Sequence, residues 1–205
     1  MRDQCASGFD RLLAPYDRDS LRRHPGTVIA LDSDHRLAYL NAAWDRFAEE
    51  NGGQPAIGRD WGLGAGYFDA IAEPLGAFYR DLIRRTTEEA DPSHPVSHVY
   101  ECPAPRMMRR FQMNVYPLGS GEGVLLVHSL VVEAPHGSDR APHDANPDVY
   151  EDAEGIVRQC AHCRKVRHTT EADRWDWVPA WVARPPQQTS HTICDVCFAH
   201  YYRES

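Results

Sequence analysis

Residues 24–53 read HPGTVIALDSDHRLAYLNAAWDRFAEENGG, and this stretch decides the fold expected for the first part of the chain. Two runs rich in apolar and β-branched residues, 27–32 and 36–40, have the composition of short β-strands. The residues between them, 33–35, are Ser, Asp and His, which favour a tight turn. The stretch therefore predicts a β-hairpin.

A helix is expected directly after this hairpin. Asn41 follows the second strand, and its side-chain oxygen is expected to cap the helix by accepting a backbone hydrogen bond. Apolar residues then recur at helical spacing on one face, at Trp44, Phe47 and Ala48. The pair Gly52-Gly53 ends the segment, so the helix is predicted over residues 42–51.

The following residues add one long helix and three strands. Residues 75–89 carry an apolar stripe at helical spacing, and residues 95–101, 109–116 and 123–132 are extended segments. Residues 109–116 alternate apolar and polar side chains, as a half-buried antiparallel strand does. The order of elements predicts an α+β fold with a five-stranded antiparallel sheet and its helices on one face.

This pattern resembles the opening of a PAS domain, in which two strands joined by a short turn lead to an Asn that starts a helix. The order of strands and helices as far as Val132 also fits, so the resemblance covers roughly half of the chain. It implies a sensory or interaction domain over residues 25–133 that can hold a small-molecule ligand between sheet and helices. It also implies a homodimer formed through an N-terminal helix, predicted within residues 1–24.

Two cofactors found in PAS domains are tested by the sequence. The flavin subtype carries a reactive Cys in an N-C-R-F-L-Q type of stretch, which this chain lacks; Cys102 and Cys5 lie elsewhere. The haem subtype often ligates iron through a His on the long helix, and residues 75–89 contain none. His128, on the last strand, leaves a haem alternative open.

Four of the six cysteines form two C-x-x-C pairs near the end of the chain: Cys160, Cys163, Cys194 and Cys197. Residues 1–9 contain no apolar stretch, which predicts no secretory signal, so a metal site is favoured over a disulfide framework. Two such pairs supply four thiolates in tetrahedral arrangement, the preferred site of structural Zn²⁺. An iron site with the same ligands, a redox dithiol and free cysteines remain alternatives.

The size of this segment supports a structural metal. Roughly 50 residues bury too little surface for a firm fold of their own. Zinc coordination by thiolates contributes on the order of 10–16 kcal/mol in small modules, which is enough to decide whether the segment folds. Four Cys ligands leave no open coordination position, so no catalytic role is expected for the metal. His162, His168 and His191 are candidate substitutes or neighbours of the ligands.

The residues from Cys160 to Tyr202 also resemble a short cysteine module at the C-termini of bacterial PAS, GAF and response-regulator proteins. The shared pattern is C-x-x-C-R-K-V-R, then W-x-W-V-P-x-W-V, then S-H-T-I-C-x-x-C. It implies a zinc-ribbon or treble-clef-like module over residues 155–205. Its three tryptophans are expected to form the small core of the module rather than an exposed docking surface. Residues 134–154, rich in Pro, Asp and His, predict a flexible linker.

Composition restricts the function classes. The chain of 205 residues has 42% hydrophobic residues and a net charge of -8, which is ordinary for a globular protein and unusual for one that binds nucleic acid over its whole surface. Its longest apolar runs are too short to span a membrane. We therefore expect a cytoplasmic protein. Neither an H-E-x-x-H motif nor a G-x-S-x-G motif occurs, and we expect no enzymatic activity.

These observations lead to three functional hypotheses. The first is a bacterial signal-transduction protein in which the PAS domain and the zinc module act through contacts with protein partners. The second is nucleic-acid binding by the module, whose basic side chains cluster around the first cysteine pair at Arg158, Arg164, Lys165 and Arg167. The overall acidity makes nucleic acid an unlikely partner. The third is a thiol-based redox switch that releases zinc on oxidation.

Overall fold

The computed structural model describes residues 3–89 and 91–202, and for Asp139 the backbone alone. The predicted N-terminal helix and the predicted cysteine module therefore each extend past the described residues at one end. The chain divides into two compact units. The first unit comprises Met1–Ile71, Gly76–Val99 and Gln112–Leu130. The second unit comprises Ala72–Leu75, Tyr100–Phe111 and Val131–Ser205.

Six strands of the described residues form one large sheet in the order β1-β3-β2-β6-β5-β4. They are β1 (Gln4–Cys5), β2 (Val28–Asp32), β3 (Leu37–Leu40), β4 (Val96–Glu101), β5 (Met107–Leu118) and β6 (Gly123–Pro135). Strand β2 pairs antiparallel with both β3 and β6, so the α+β class with a large antiparallel sheet is confirmed. The sheet has six strands rather than the five predicted, because β1 adds two residues to the edge of β3.

Five helices of the described residues accompany the large sheet, and the longest is α5, with 17 residues. They are α1 (Asp10–Leu13), α2 (Arg18–Arg23), α3 (Ala42–Glu50), α4 (Ala56–Asp60) and α5 (Glu73–Glu89), with a 3-10 turn at Tyr67–Ala70. The N-terminal helix, predicted with an interruption at Pro15, is two short helices, and the second begins where Asp17 caps α2. Within the described residues, no helix is both long enough and apolar enough to cross a membrane.

The central strands of the sheet are buried on both faces. The N-terminal segment covers one face and forms a core cluster with it: Phe9, Leu12, Leu13, Val28, Ala30, Ala38, Tyr39, Leu118 and Leu125. Because side chains alternate along a strand, Ile29 and Leu31 point to the opposite face, where they are equally buried. Helix α3 packs against β2. Helix α1 lies in the core cluster of the face that carries Val28 and Ala30.

Asn41 occupies the N-cap position of α3 but does not cap it through its side chain. Its side chain is buried, and Oδ1 accepts a hydrogen bond from the backbone N–H of Val28 at 3.0 Å. Its Nδ2 donates to the carbonyl of Gly26 at 3.0 Å, and to that of Leu21 at 3.3 Å. Asn41 therefore ties the start of β2 to the segment before it, which is a different role from the one predicted.

The remaining elements lie in the second unit. They are a 3-10 turn (Ser138–Arg140), α6 (Pro147–Tyr150), β7 (Val157–Cys160), β8 (Val166–Arg167), β9 (Trp175–Asp176), α7 (Pro179–Ala183), β10 (Thr189–Thr192) and α8 (Asp195–Tyr201). The four strands form a second, small sheet in the order β10-β7-β8-β9. Strands β7, β8 and β9 are antiparallel, whereas β10 runs parallel to β7.

The segment predicted as a linker, 134–154, contains regular structure. Tyr150 is buried in a core cluster with Val157, Val166 and Val178. Its hydroxyl donates a hydrogen bond to Asp176 at 2.9 Å. The composition of the segment is polar enough to suggest a linker, but Tyr150 and the backbone hydrogen bond from Thr169 to Val149 join α6 to the rest of the second unit.

The imidazole of His128 in β6 makes the first unit sensitive to acid. Burial lowers the pKa of His128 to about 4, from an ordinary value near 6.5. Between these two pH values the unfolded chain takes up a proton that the folded chain does not, so stability falls as pH falls. We expect His128 alone to cost about 2 kcal/mol of unfolding free energy between pH 7 and pH 5.

Urea unfolding of the chain and of His128→Gln, followed by circular dichroism at pH 7, 6 and 5, measures the contribution of His128 to the pH dependence of the unfolding free energy. The variant should lose that part of the pH dependence, while the contributions of all other titrating groups remain in both proteins. Parallel stability curves for the two proteins across this pH range would show that His128 does not cause the loss.

Candidate metal centre

Four cysteine side chains of the second unit converge on one point. The sulfur atoms of Cys160, Cys163, Cys194 and Cys197 all lie within 4.8 Å of one another. Each of the four residues is buried, with at most 7% of its surface exposed. The four predicted ligands are therefore brought together, and their arrangement can hold a metal ion.

The spacing of the sulfur atoms suits coordination rather than a disulfide. Sγ of Cys163 and Sγ of Cys194 lie 3.7 Å apart, and all the cysteines are free thiols. A disulfide requires a distance of about 2.05 Å between its sulfur atoms. Tetrahedral metal–sulfur bonds of about 2.3 Å place neighbouring sulfurs about 3.8 Å apart. The observed distance agrees with the second geometry.

The first pair is held by the hairpin between β7 and β8. Cys160 ends β7, and its backbone N–H donates to the carbonyl of Lys165 at 2.8 Å. The N–H of Arg164 donates back to the carbonyl of Cys160 at 3.1 Å. Arg164 has a φ of 62°, in the left-handed region that non-glycine residues seldom adopt. This tight turn directs the Cys160 and Cys163 side chains to the same side.

The second pair is placed by β10 and α8. The parallel register sets Thr192 beside Cys160, and the N–H of Ala161 donates to the carbonyl of Thr192 at 2.7 Å. Cys194 follows as the N-cap of α8, and Cys197 lies in the first turn of that helix. The N–H of Cys194 donates to Sγ of Cys160 at 3.4 Å, which links the two pairs directly.

The thiols do not share one acidity. Hydrogen bonds from Cys163, and also from Cys194 and Cys197, lower the pKa of Cys160 far below its ordinary value. The pKa of Cys197 is raised, chiefly through its hydrogen bond with Cys160. The pKa of Cys194 is lowered as well, against the effect of Cys160 and through its hydrogen bonds with Cys163 and Cys197, so the cluster favours thiolates, the form that binds metals.

The three candidate histidines lie outside the group of ligand atoms. The His162 ring stacks on Tyr201 with centroids 4.2 Å apart, and its Nε2 is 3.0 Å from the hydroxyl of Tyr202. Nδ1 of His168 accepts from the N–H of Thr170, and Nε2 of His191 lies 3.5 Å from Nη1 of Arg164. His162 therefore packs beside the cluster, against tyrosines four and five residues after the last cysteine.

The aromatic residues between the two pairs form core, as predicted. Trp177 is 2% exposed, and Trp181 packs against the cluster that contains Tyr150. Trp175 packs against the cysteine cluster itself, together with Ile193. Trp175 and Trp181 therefore pack on the two buried clusters of the module, one around the cysteines and one around Tyr150.

The four basic residues proposed for nucleic-acid contact do not form one patch. Arg158 pairs with Asp152 at 3.0 Å, and with Arg167 it lines a cavity of about 130 Å³. Lys165 lines a different cavity of about 380 Å³, whose wall includes three of the four cysteines. Arg164 is half-buried beside His191. The four basic residues, close in sequence, therefore lie in three places: Arg158 and Arg167 at one cavity, Lys165 at another, and Arg164 beside His191.

No protein-family model matches the chain, and no curated protein matches it either. Solved structures do match, among them the crystal structure of the photoactive yellow protein domain, a PAS domain, from the sensor histidine kinase Ppr of Rhodospirillum centenum. That match has 13% identity and a TM-score of 0.37, and it covers 57% of this chain and 95% of the other. At this similarity, no functional conclusion is drawn from it.

Proposed function

We propose that this chain is a cytoplasmic bacterial signal-transduction protein without catalytic activity, in which a PAS-like domain is coupled to a C-terminal module held together by Zn²⁺. The observation that carries the proposal is the buried cluster of four cysteine sulfurs within 4.8 Å of one another. A site with four thiolates has no position for a substrate, so its role is structural.

Zinc is the metal that best fits this donor set. Four thiolates in tetrahedral arrangement bind Zn²⁺ or an iron centre, and other common divalent cations such as Mg²⁺ and Ca²⁺ prefer oxygen ligands. Cys160, Cys163, Cys194 and Cys197 would hold the ion, which would supply a crosslink between the β7–β8 hairpin and α8. The module has only one other buried core cluster, of four residues among those described, so this crosslink matters for its fold.

The sensory assignment is supported by the architecture of the first unit. The hairpin of β2 and β3, the Asn that precedes α3 and the antiparallel sheet that closes with β6 are the features on which the resemblance to PAS domains rests. The proposed homodimer through the N-terminal residues has less support. Leu12 and Leu13, the apolar residues such a contact would use, are buried within the chain.

Output through protein contacts is supported by the surface of α8. Val196 is 79% exposed and Phe198 is 55% exposed, although both are large apolar residues. Val196 also lines the cavity of about 380 Å³ beside the cysteines, where Trp175 and Tyr201 add aromatic surface. Exposed apolar side chains next to a cavity are suited to contact with a protein partner.

Native mass spectrometry of the full chain, purified without added metal or chelator, tests the proposal. We expect a mass increment of one zinc ion per chain, and loss of that increment in Cys160→Ser combined with Cys194→Ser. Cys5→Ser, which changes a cysteine of the first unit, is the matched control and should keep the zinc. Visible absorbance of the same sample distinguishes an iron centre, which is coloured, from zinc.

The other outcomes are equally informative. A bare polypeptide mass would contradict structural zinc and would favour thiol redox chemistry in the cluster. An additional organic mass on the zinc-loaded chain would support a ligand-sensing role for the PAS-like domain and would identify the ligand class.

A further inference from the structure

A further cavity of the second unit has the composition of a ligand site; none of the described cysteines lines it, and it shares Arg140 with the cavity beside the cysteines. Its volume is about 690 Å³, and it is open to solvent. Its apolar wall is formed by Trp177 and several prolines, and its polar wall by Arg106, His136 and Arg140. Small-molecule sites commonly have this composition, with a volume of roughly 300–1,000 Å³ and a few convergent polar groups.

The Arg140 side chain is held in the wall of this cavity with one end unpaired. It is only 8% exposed, and Nη2 pairs with the carboxylate of Glu101. The guanidinium also lies 5.1 Å above the ring of Trp177. Its Nη1 is buried and has no hydrogen-bond partner among the described residues. Burying an unsatisfied charged donor costs free energy, and an anion in the cavity would recover it.

His136 presents a second unpaired nitrogen. Its Nε2 donates a hydrogen bond to the carbonyl of Ala104 at 2.8 Å, and its ring packs on Trp177 at 4.5 Å between centroids. Its Nδ1 is buried and likewise has no partner among the described residues. Because Nε2 donates to a carbonyl, Nδ1 of the neutral ring is an acceptor, and it is the nitrogen left for a donor group of a ligand.

The charge of the wall has one sign. Arg106 and Arg140 contribute two cations, and no acidic side chain is among the described residues that line the cavity. Arginine binds carboxylate and phosphate groups with paired, charge-assisted hydrogen bonds. From these observations, we propose that this cavity binds a small organic anion, with its anionic group on Arg140 and Arg106 and its apolar body against Trp177 and the prolines.

Isothermal titration calorimetry of the full, zinc-loaded chain tests this proposal with three probes. They are 1-naphthoate, which has an apolar body and a carboxylate; 1-naphthalenemethanol, which has the body alone; and inorganic phosphate, which has the charge alone. We expect saturable binding of one naphthoate per chain, and binding at least tenfold weaker for each of the other two probes.

Matched variants locate the site. Arg140→Gln and Arg106→Gln should each weaken naphthoate binding tenfold or more, which corresponds to about 1.4 kcal/mol. Glu101→Gln breaks the same ion pair as Arg140→Gln but keeps the guanidinium, so it should retain binding. Arg184→Gln removes an exposed charge of the same unit outside the cavity wall and should leave binding unchanged.

Several results would overturn the proposal. They are no saturable binding of naphthoate at millimolar concentration, equal affinity for the acid and the alcohol, or equal loss of binding in Glu101→Gln and Arg140→Gln. The last result would assign the effect to the ion pair rather than to the cavity. Zinc content, measured in each variant, keeps this test independent of the metal centre.

Discussion

Removing the metal from the full chain with a chelator, or changing Cys194 to Ser, is expected to unfold the cysteine module and to leave the large sheet folded. The coordination site contributes on the order of 10–16 kcal/mol to small zinc modules, which exceeds the stability of most whole domains. Cys194 is 3% exposed, so its replacement also buries a hydroxyl beside three thiols. The expected effect is therefore complete loss of module structure rather than a small shift in melting temperature.

The module is expected to unfold without the large sheet because the two have different core clusters. The core cluster around Leu13, Val28 and Leu125 belongs to the first unit and contains none of the four metal ligands. In the module, the buried apolar cluster around Tyr150 and Val178 is small. Without the metal crosslink, that cluster alone cannot offset the conformational entropy of the ordered chain.

Limited trypsin digestion with mass analysis measures this result residue by residue. After chelation, we expect rapid cleavage at basic residues of the module such as Arg158, Lys165 and Arg174, while residues 28–127 remain protected. Tryptophan emission should shift to the red, because three of the five tryptophans, including the buried Trp177, lie in the module. Adding Zn²⁺ back should restore the protection from trypsin and the tryptophan emission in the unchanged chain. It should restore neither signal in Cys194→Ser.

Cys5→Ser serves as the matched control, since Cys5 is half-buried in the first unit and takes no part in the cluster. Its digestion pattern should equal that of the unchanged chain. If chelation left the module protected and its tryptophan emission unshifted, the cysteine cluster would not be the element that holds the module together.

The sequence predicted the cysteine site well because the chemistry of that site is local. Two C-x-x-C pairs restrict four sulfur atoms to two short turns, and a single further fact, the parallel pairing of β10 with β7, brings the turns together. Spacing alone could not show that pairing, and it could not show that His162 stacks on Tyr201, a contact between residues far apart in sequence. The convergence of the four cysteines was therefore predictable, whereas their surroundings were not.

The large sheet was predicted in outline for a related reason. Apolar runs of strand length are visible in the sequence, and β2 and β3 are buried along nearly their whole length. The two-residue strand β1 is too short for any periodicity, so the sixth strand could not be found. The pattern also shows that a strand is buried without showing which segment buries each side.

The segment predicted as a linker shows that composition is a poor guide to the contacts that a segment makes. Residues 134–154 have few apolar side chains, yet His136, Arg140 and Tyr150 each contact another part of the second unit. These are single contacts between polar or aromatic groups, and they leave no periodic signal. Composition measures how much apolar surface a segment can bury, but it does not measure how well a few polar groups are paired.

Asn41→Ala is expected to cost about 3 kcal/mol of unfolding free energy in the first unit, a large effect for one small side chain. The Asn41 side chain satisfies the N–H of Val28 and the carbonyl of Gly26 at the entry to β2, where it is 1% exposed. Alanine would leave the buried N–H of Val28 without this acceptor, and it would remove a donor from the half-buried carbonyl of Gly26, which Nδ1 of His24 also approaches at 3.1 Å. A buried unsatisfied group costs about 1–3 kcal/mol, so the N–H of Val28 accounts for most of the expected loss.

The chemistry of the replacement separates this bridging role from helix capping. Asp at position 41 is a good N-cap residue and would preserve α3 if capping were its function. In the bridge, however, Asp keeps the acceptor for Val28 but places a carboxylate oxygen against the carbonyls of Gly26 and Leu21, where Nδ2 donates now. We therefore expect Asn41→Asp to be at least as destabilising as Asn41→Ala at pH 7.

Urea unfolding followed by circular dichroism measures both variants, with Asn51→Ala as the matched control. Asn51 is exposed at the end of α3, where its side chain donates to the carbonyl of Phe47 at 2.8 Å, so its loss should cost less than about 1 kcal/mol. Asn41→Asp with the stability of the unchanged chain would show that the side chain acts as a cap after all. Equal small losses at positions 41 and 51 would show that the bridge from Gly26 to Val28 contributes little, and the start of β2 would then be held by its backbone pairing with β3 and β6.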